Sequence, residues 1–268
     1  MVYGQPVDLS ILRNAQRLYA MTIKNLIGQM ANSTLKIFDL KLIKMEQAVA
    51  ARAAGQINDG TYWDNYVRQW EELDENRLLE HVGNEWKNEE IFLSLLEKYA
   101  SPESSALEIG CGGGRITSKA TRWFKHVYAC DVSKEMLRKN RESVKGSNVS
   151  YHMLDGFTLG DFADESLDFV FSHDVFVHFS SLQVYPYFTE IRRVLKKNGI
   201  AIISFYNCIT HFDLFREMSL QFNRDCVFPP HARVHFVTQE MINLMLEDLS
   251  LRVQETDVTN FLIPVFKK

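Results

Sequence analysis

The stretch Ala106-Leu-Glu-Ile-Gly-Cys-Gly-Gly-Gly-Arg115 decides how the rest of the chain is read. Its first residues read as a buried strand. The glycines at 110, 112 and 114 then allow a sharp turn and a close approach of backbone to a ligand, before a helix begins. The next strand-like run, His126-Val-Tyr-Ala-Cys-Asp131, ends in an acid. In a β-α-β unit that acid lies beside the glycine loop, where a carboxylate can accept from both hydroxyls of a ribose. The glycine spacing narrows the ligand further. A G-x-G-x-x-G fingerprint would need glycine where Arg115 stands, and no Lys-Ser or Lys-Thr pair follows to form a phosphate loop.

Downstream the pattern alternates. Strands are expected at 105–110, 126–132, 148–154, 167–173 and 199–206, with helices at 115–124, 133–145 and 183–197. Such alternation implies a parallel, doubly wound sheet. Ser133 suits a helix N-cap, and Thr238 suits another ahead of a helix over 239–248. Two closing runs, 251–257 and 260–266, are joined too tightly for a parallel crossover and must pair antiparallel. Ligands of open α/β sheets bind beyond the carboxyl ends of the strands. Here those ends carry the 108–114 loop, Asp131-Val132, Asp155-Gly156 and Ser172-His173.

The glycine loop with its downstream acid resembles motif I of the class I S-adenosylmethionine-dependent methyltransferases, written here Glu108-Ile-Gly-Cys-Gly-Gly-Gly114. The resemblance covers about 105–207 well and the remainder loosely. It implies a Rossmann-like, doubly wound, mostly parallel sheet with a C-terminal antiparallel hairpin. It also implies S-adenosylmethionine as cofactor. Glu108, Gly110, Gly112, Gly114, Asp131, Val132, Asp155, Gly156 and His173 become candidate cofactor contacts. By the same resemblance Asp131 takes the ribose, Asp155 accepts from the adenine amine, and His173 contributes a backbone contact. The run Glu190-Ile-Arg-Arg-Val-Leu-Lys-Lys-Asn-Gly199 matches the family's fifth unit, with Asn-Gly where many members have Pro-Gly.

The remaining composition excludes several classes. The chain has 268 residues, 46% hydrophobic and 24% charged, with net charge −4. No basic block suggests a nucleic-acid partner. The densest basic stretch, Arg192-Arg193 with Lys196-Lys197, reads as the cationic end of a helix. Four scattered cysteines form no C-x-x-C pair, so neither zinc nor a disulfide framework is signalled, and no metal is expected. No run approaches a membrane span and no secretion-type leader is evident, which predicts a soluble, cytoplasmic protein.

Residues 1–98 read as a helical extension and 99–268 as the sheet-bearing domain. Within the extension, Leu12, Tyr19, Ile23, Leu26 and Met30 share a helical face, and Leu35, Phe38, Leu42, Met45 and Val49 form a heptad-like seam. That seam suits packing on the main domain or an oligomerisation arm. Trp63 and Trp86 fall in aromatic motifs that suit either packing under a helix or a lid over the cofactor.

The acceptor side is marked only by histidines. His178 follows the fourth strand, His211 follows the fifth, and His231 and His235 fall in the later stretch Phe228-Pro-Pro-His-Ala-Arg-Val-His-Phe236. His178 and His211 are the candidate catalytic bases. The spacing of His173 and His178 does not make a metal pair on one helix face. The reading is therefore transfer of a methyl group to a small molecule or saccharide, at oxygen. A non-catalytic cofactor-binding or partner-binding protein of the same fold is the alternative. A nicotinamide dehydrogenase is disfavoured by Arg115.

Overall fold

The computed structural model describes residues 60–73, 89–225 and 234–268. The chain divides into two compact units, Met1–Ile57 and Asn58–Lys268, and every described residue belongs to the second. The apolar faces expected between Leu12 and Val49, the candidate Trp86, and His231 lie outside the described residues.

In chain order the elements are α1 Gly60–Leu73, α2 Glu89–Tyr99, β1 Ser105–Ile109, α3 Thr117–Ala120, β2 His126–Asp131, α4 Lys134–Ser143, β3 Val149–Met153 and β4 Leu167–Ser172. A 3-10 turn, Phe176–His178, follows, then α5 Ser181–Val194, β5 Leu195–Ile203, β6 Phe205–Asn207, α6 Phe212–Asp225, β7 Phe236–Val237, α7 Gln239–Asp248, β8 Arg252–Asp257 and β9 Phe261–Lys267. Nine strands of the described residues join in the order β3-β2-β1-β4-β5-β9-β6-β7, with β8 added on β9. β1 to β5 are parallel neighbours, and β9 runs antiparallel to β5, β6 and β8. The doubly wound sheet and its closing antiparallel hairpin are as the sequence predicts.

The central strands are buried on both faces, as parallel strands must be. Leu107, Ile109, Val170, Ala201 and Ile203 pack with α5 and α7 on one face. Ala106, Phe169, Phe171 and Ile202 pack with α2 and α3 on the other. Ser133 caps α4 by accepting from the Met136 amide, and Thr238 caps α7 by accepting from the Met241 amide. The helix expected over 115–124 is a single turn, 117–120. No side chain caps its start, and beyond it the amides of Arg122 and Trp123 return to carbonyls three residues back, as in a tighter turn.

The fifth unit departs most from expectation. α5 stops at Val194, so Lys196 lies in β5, where it pairs with Asp168 at 2.7 Å rather than ending a helix. The strand expected over 199–206 breaks at Ser204. Up to Ile203 it pairs with β4, whereas β6 pairs with β9 and the short β7. β4 and β6 therefore part at Ser204. The Ser204 amide still donates to the Ser172 carbonyl, while its Oγ accepts from the Asp174 amide. The 3-10 turn follows on the β4 side and is tied to the segment before β7 by the His235 amide, which donates to the Val177 carbonyl.

Candidate cofactor and acceptor site

The glycine loop leaves β1 with Gly110, Gly112 and Gly114 all at positive φ. At Gly110 a Cβ would lie 2.3 Å from a methyl of Val175, so a side chain there would displace the segment after β4. At Gly114 a Cβ would meet Val144, Ser143 and Asn140, so the missing side chain there admits α4 and the residue after it. α4 holds the loop from behind. Asn140, fully buried, donates to the Gly112 carbonyl and to the Thr117 hydroxyl, and Ser143 donates to the Gly113 carbonyl at 2.7 Å. Asn140 and Ser143 carry no motif that sequence could single out.

Asp131 ends β2 beside this loop. Its two oxygens accept from the Gly112 and Ser133 amides, each at 2.9 Å. Burial pushes its carboxyl up to about 6, against those amides, which lower it. Glu108 is buried within β1 and accepts from the Thr117 hydroxyl at 2.6 Å. Burial pushes its carboxyl up to about 8. Asp155 follows β3. It accepts from the Phe157 and Thr158 amides and from the Thr158 hydroxyl, and Gly156 beside it has positive φ. Met153 and Phe157 flank it, 63% and 60% exposed, an unusual display of apolar surface at a strand end. A buried carboxylate, a close-approach loop and an apolar margin beside a second acid suit a ribose joined to an adenine.

α1 spans this region. Gly60 lies so close to the Val132 carbonyl that a Cβ would stand 2.1 Å from its oxygen. Asp64 accepts from the Ser133 hydroxyl at 2.6 Å and from the Glu135 amide at 3.1 Å, adding a second cap to α4. Trp63 reaches the other side, with its ring 5.0 Å from that of His178. α1 thus touches the residue after the ribose acid and the turn after β4. The contacts of Asp64 went unread because they depend on a partner about seventy residues away.

His173 follows β4, and only its backbone is free to meet a cofactor, because its ring is committed to the core. The imidazole is buried, stacked on Phe92 at 4.5 Å and edge-on to Phe261, with Nδ1 3.2 Å from Ser204 Oγ. Burial lowers its pKa, against the opposing charge of Asp174. Asp174 sits in the left-handed region, φ 59°, its carboxylate paired with Arg115 at 2.9 Å and its Oδ1 buried with no hydrogen-bond partner among the described residues. Arg115 also reaches Glu89, which pairs with Lys119. Burial raises the Glu89 carboxyl, yet Lys119 and Arg115 outweigh it and hold it below its ordinary value. His211 packs against Tyr206 and Phe261. Burial lowers the pKa of both His211 and His235.

Residues 107–203 match the family described as methyltransferase domain. A wheat (Triticum aestivum) phosphoethanolamine N-methyltransferase is 31% identical over 144 residues, 52% of this chain and 27% of the relative. An uncharacterized methyltransferase of Schizosaccharomyces pombe is 25% identical over 172 residues, 60% of this chain and 56% of the relative. The chain therefore spans between about a quarter and just over half the length of these curated relatives. Among solved structures, the magnesium protoporphyrin IX methyltransferase of Synechocystis with bound SAH is similar in fold. Its TM-score is 0.56 at 17% identity, over 70% of this chain and 84% of that one. Residues 107–203 therefore form a methyltransferase domain, and the described sheet has the fold of S-adenosylmethionine-dependent methyltransferases, whose cofactor is S-adenosylmethionine.

Proposed function

We propose that the chain transfers a methyl group from S-adenosylmethionine to oxygen on a small molecule or saccharide. The observation that carries the cofactor half is Asp131, a buried carboxylate fixed by the Gly112 and Ser133 amides beside the glycine loop. When bound, the cofactor supplies an electrophilic methyl group on a sulfonium. The chain's own residues bind and align. Asp131 accepts from the ribose hydroxyls, while Gly110 and Gly112 let backbone approach the cofactor. Asp155 and Gly156 meet the adenine, with Glu108, Val132 and the His173 backbone completing the contacts. Trp63 closes the site from α1.

The acceptor enters on the side of β6 and the 3-10 turn, where His178 and His211 are the candidate bases. Burial keeps His211 and His235 below the usual imidazole range, so these rings are neutral near pH 7 and can take a proton from a hydroxyl. The wheat relative's name supports a second reading, transfer to an amine. The test is calorimetric titration with S-adenosylmethionine and NAD, then transfer of labelled methyl to paired alcohol and amine acceptors. Binding of S-adenosylmethionine with transfer to hydroxyls supports the proposal. Transfer to amines alone moves it to nitrogen. Binding without any transfer leaves the non-catalytic alternative. A homo-oligomer through the extension and a cytoplasmic location also belong to this reading. No helix among the described residues is long and apolar enough to cross a membrane.

A further inference from the structure

The loop from Asp155 to Glu165 joins β3 to β4 and carries the candidate adenine contacts at one end. Its far end is moored in two ways. Leu159 and Phe162 are buried in the core, and the Phe162 ring meets Tyr128 and His152. Arg193, in the last turn of α5, grips the backbone. Its Nη1 donates to the Phe162 carbonyl and to Asp164 Oδ1, both at 2.8 Å. Its Nη2 donates to the Leu159 carbonyl at 3.0 Å and to Glu190 Oε2, and Nε donates to Glu190 Oε1. All five guanidinium donors are used, which a lysine could not reproduce. Glu190 closes the circuit, since its Oε2 also accepts from the Leu159 amide at 2.9 Å. The hydrogen bond from Arg193 holds the Glu190 carboxyl below its ordinary value.

This clamp is more than an ending for α5. A helix-terminal arginine needs only its own last carbonyls, whereas Arg193 spends three donors on a loop about thirty residues upstream. The Leu159 peptide is gripped from both sides, its amide by Glu190 and its carbonyl by Arg193. Asp155 is four residues before it, and the Asp155 carboxylate orders the intervening Phe157 and Thr158 amides. Fixing Leu159 therefore fixes the frame on which Asp155, Gly156 and exposed Phe157 sit.

We infer that Arg193, with Glu190, is the positioning pair that sets the adenine-reading geometry of the 155–165 loop and hence the preference for adenine in the cofactor. The inference rests on the reading of Asp155 as the adenine acid. Positioning of this kind acts on orientation of bound groups without touching the reacting atoms.

The experiment compares binding of S-adenosylhomocysteine and S-inosylhomocysteine, which carries a 6-oxo group in place of the adenine amine. The full chain is used as wild type, Arg193→Ala, Glu190→Gln and Asp155→Asn, with melting temperature measured for each. Wild type is expected to favour the adenosyl ligand. Arg193→Ala is expected to lose about tenfold in adenosyl affinity and most of that preference, with a smaller loss in Glu190→Gln. Loss of stability alone would lower the melting temperature and leave the ratio of the two affinities unchanged. If Arg193→Ala does not fold, the ratio in Glu190→Gln decides. An unchanged ratio in the folded clamp variants, with the ratio lost in Asp155→Asn, overturns the inference while keeping the Asp155 reading. An unchanged ratio in Asp155→Asn overturns that reading, and the inference with it.

Discussion

Asp131 and Glu108 carry separable predictions. Asp131→Ala removes a charged acceptor from two ribose hydroxyls. S-adenosylmethionine affinity should fall by about 10- to 150-fold, the worth of one charge-assisted bond of about 1.5–3 kcal/mol; an unchanged dissociation constant would remove Asp131 from the site. Glu108 carries the larger pH dependence, and Asp131, pushed up to about 6, adds to it below that value. The folded chain keeps the Glu108 proton up to about pH 8, whereas the unfolded chain releases it near 4.5. Folding thus takes up a proton between those values, and stability falls as pH rises across the window. The loss is ~3–5 kcal/mol between about pH 4 and pH 9. Glu108→Gln should flatten that slope in chemical denaturation followed against pH, and an equally steep slope in the variant would assign it elsewhere. On the acceptor side, alanine in turn at His178, His211, His231 and His235 should leave cofactor affinity intact. One of the four should lower turnover by about 10²–10⁴-fold if a histidine takes the acceptor proton. Near-normal turnover in all four would point to alignment alone.

α1 offers a test of closure. Gly60 has no room for even one carbon against the Val132 carbonyl, so Gly60→Ala must shift α1 away from the end of β2. Cofactor affinity should fall about tenfold, about 1.4 kcal/mol, with the melting temperature little changed. Asp64→Ala should cost about 1 kcal/mol through the lost cap contacts. If both variants bind as wild type, α1 packs on α4 without serving the cofactor. These contacts also mark where sequence reading stops. Ser133 and Thr238 announced their helices because capping is local chemistry. β1 to β5 announced themselves through apolar runs and turn residues. The reach of Asp64 to Ser133, and of Arg193 to Leu159, depends on how distant segments meet, which no local pattern encodes. The stacking of the His173 ring on Phe92, more than eighty residues earlier in the chain, is unreadable for the same reason. β7, two residues long, has too little sequence to carry a period.

The described part of the molecule lies in a unit that begins at Asn58. A chain shortened to start there should fold with the same sheet, because the buried strands and their covering helices lie beyond it. Far-ultraviolet circular dichroism and a cooperative melt would check this, and loss of both would show that residues 1–57 are needed for folding. Shortening to about residue 88 should also keep the sheet but weaken cofactor binding, because α1 and Trp63 are lost. The parting of β4 and β6 at Ser204 bears on how such a protein can change over time. The glycine loop, Asp131 and Asp155 all precede Ser204, while β6, α6, β7 and α7 are laid down after it and before β9 returns to the shared core. Recombination between Ser204 and Leu251 would exchange β6, α6, β7 and α7 as one cassette and leave the nucleotide half and the His178 turn unedited.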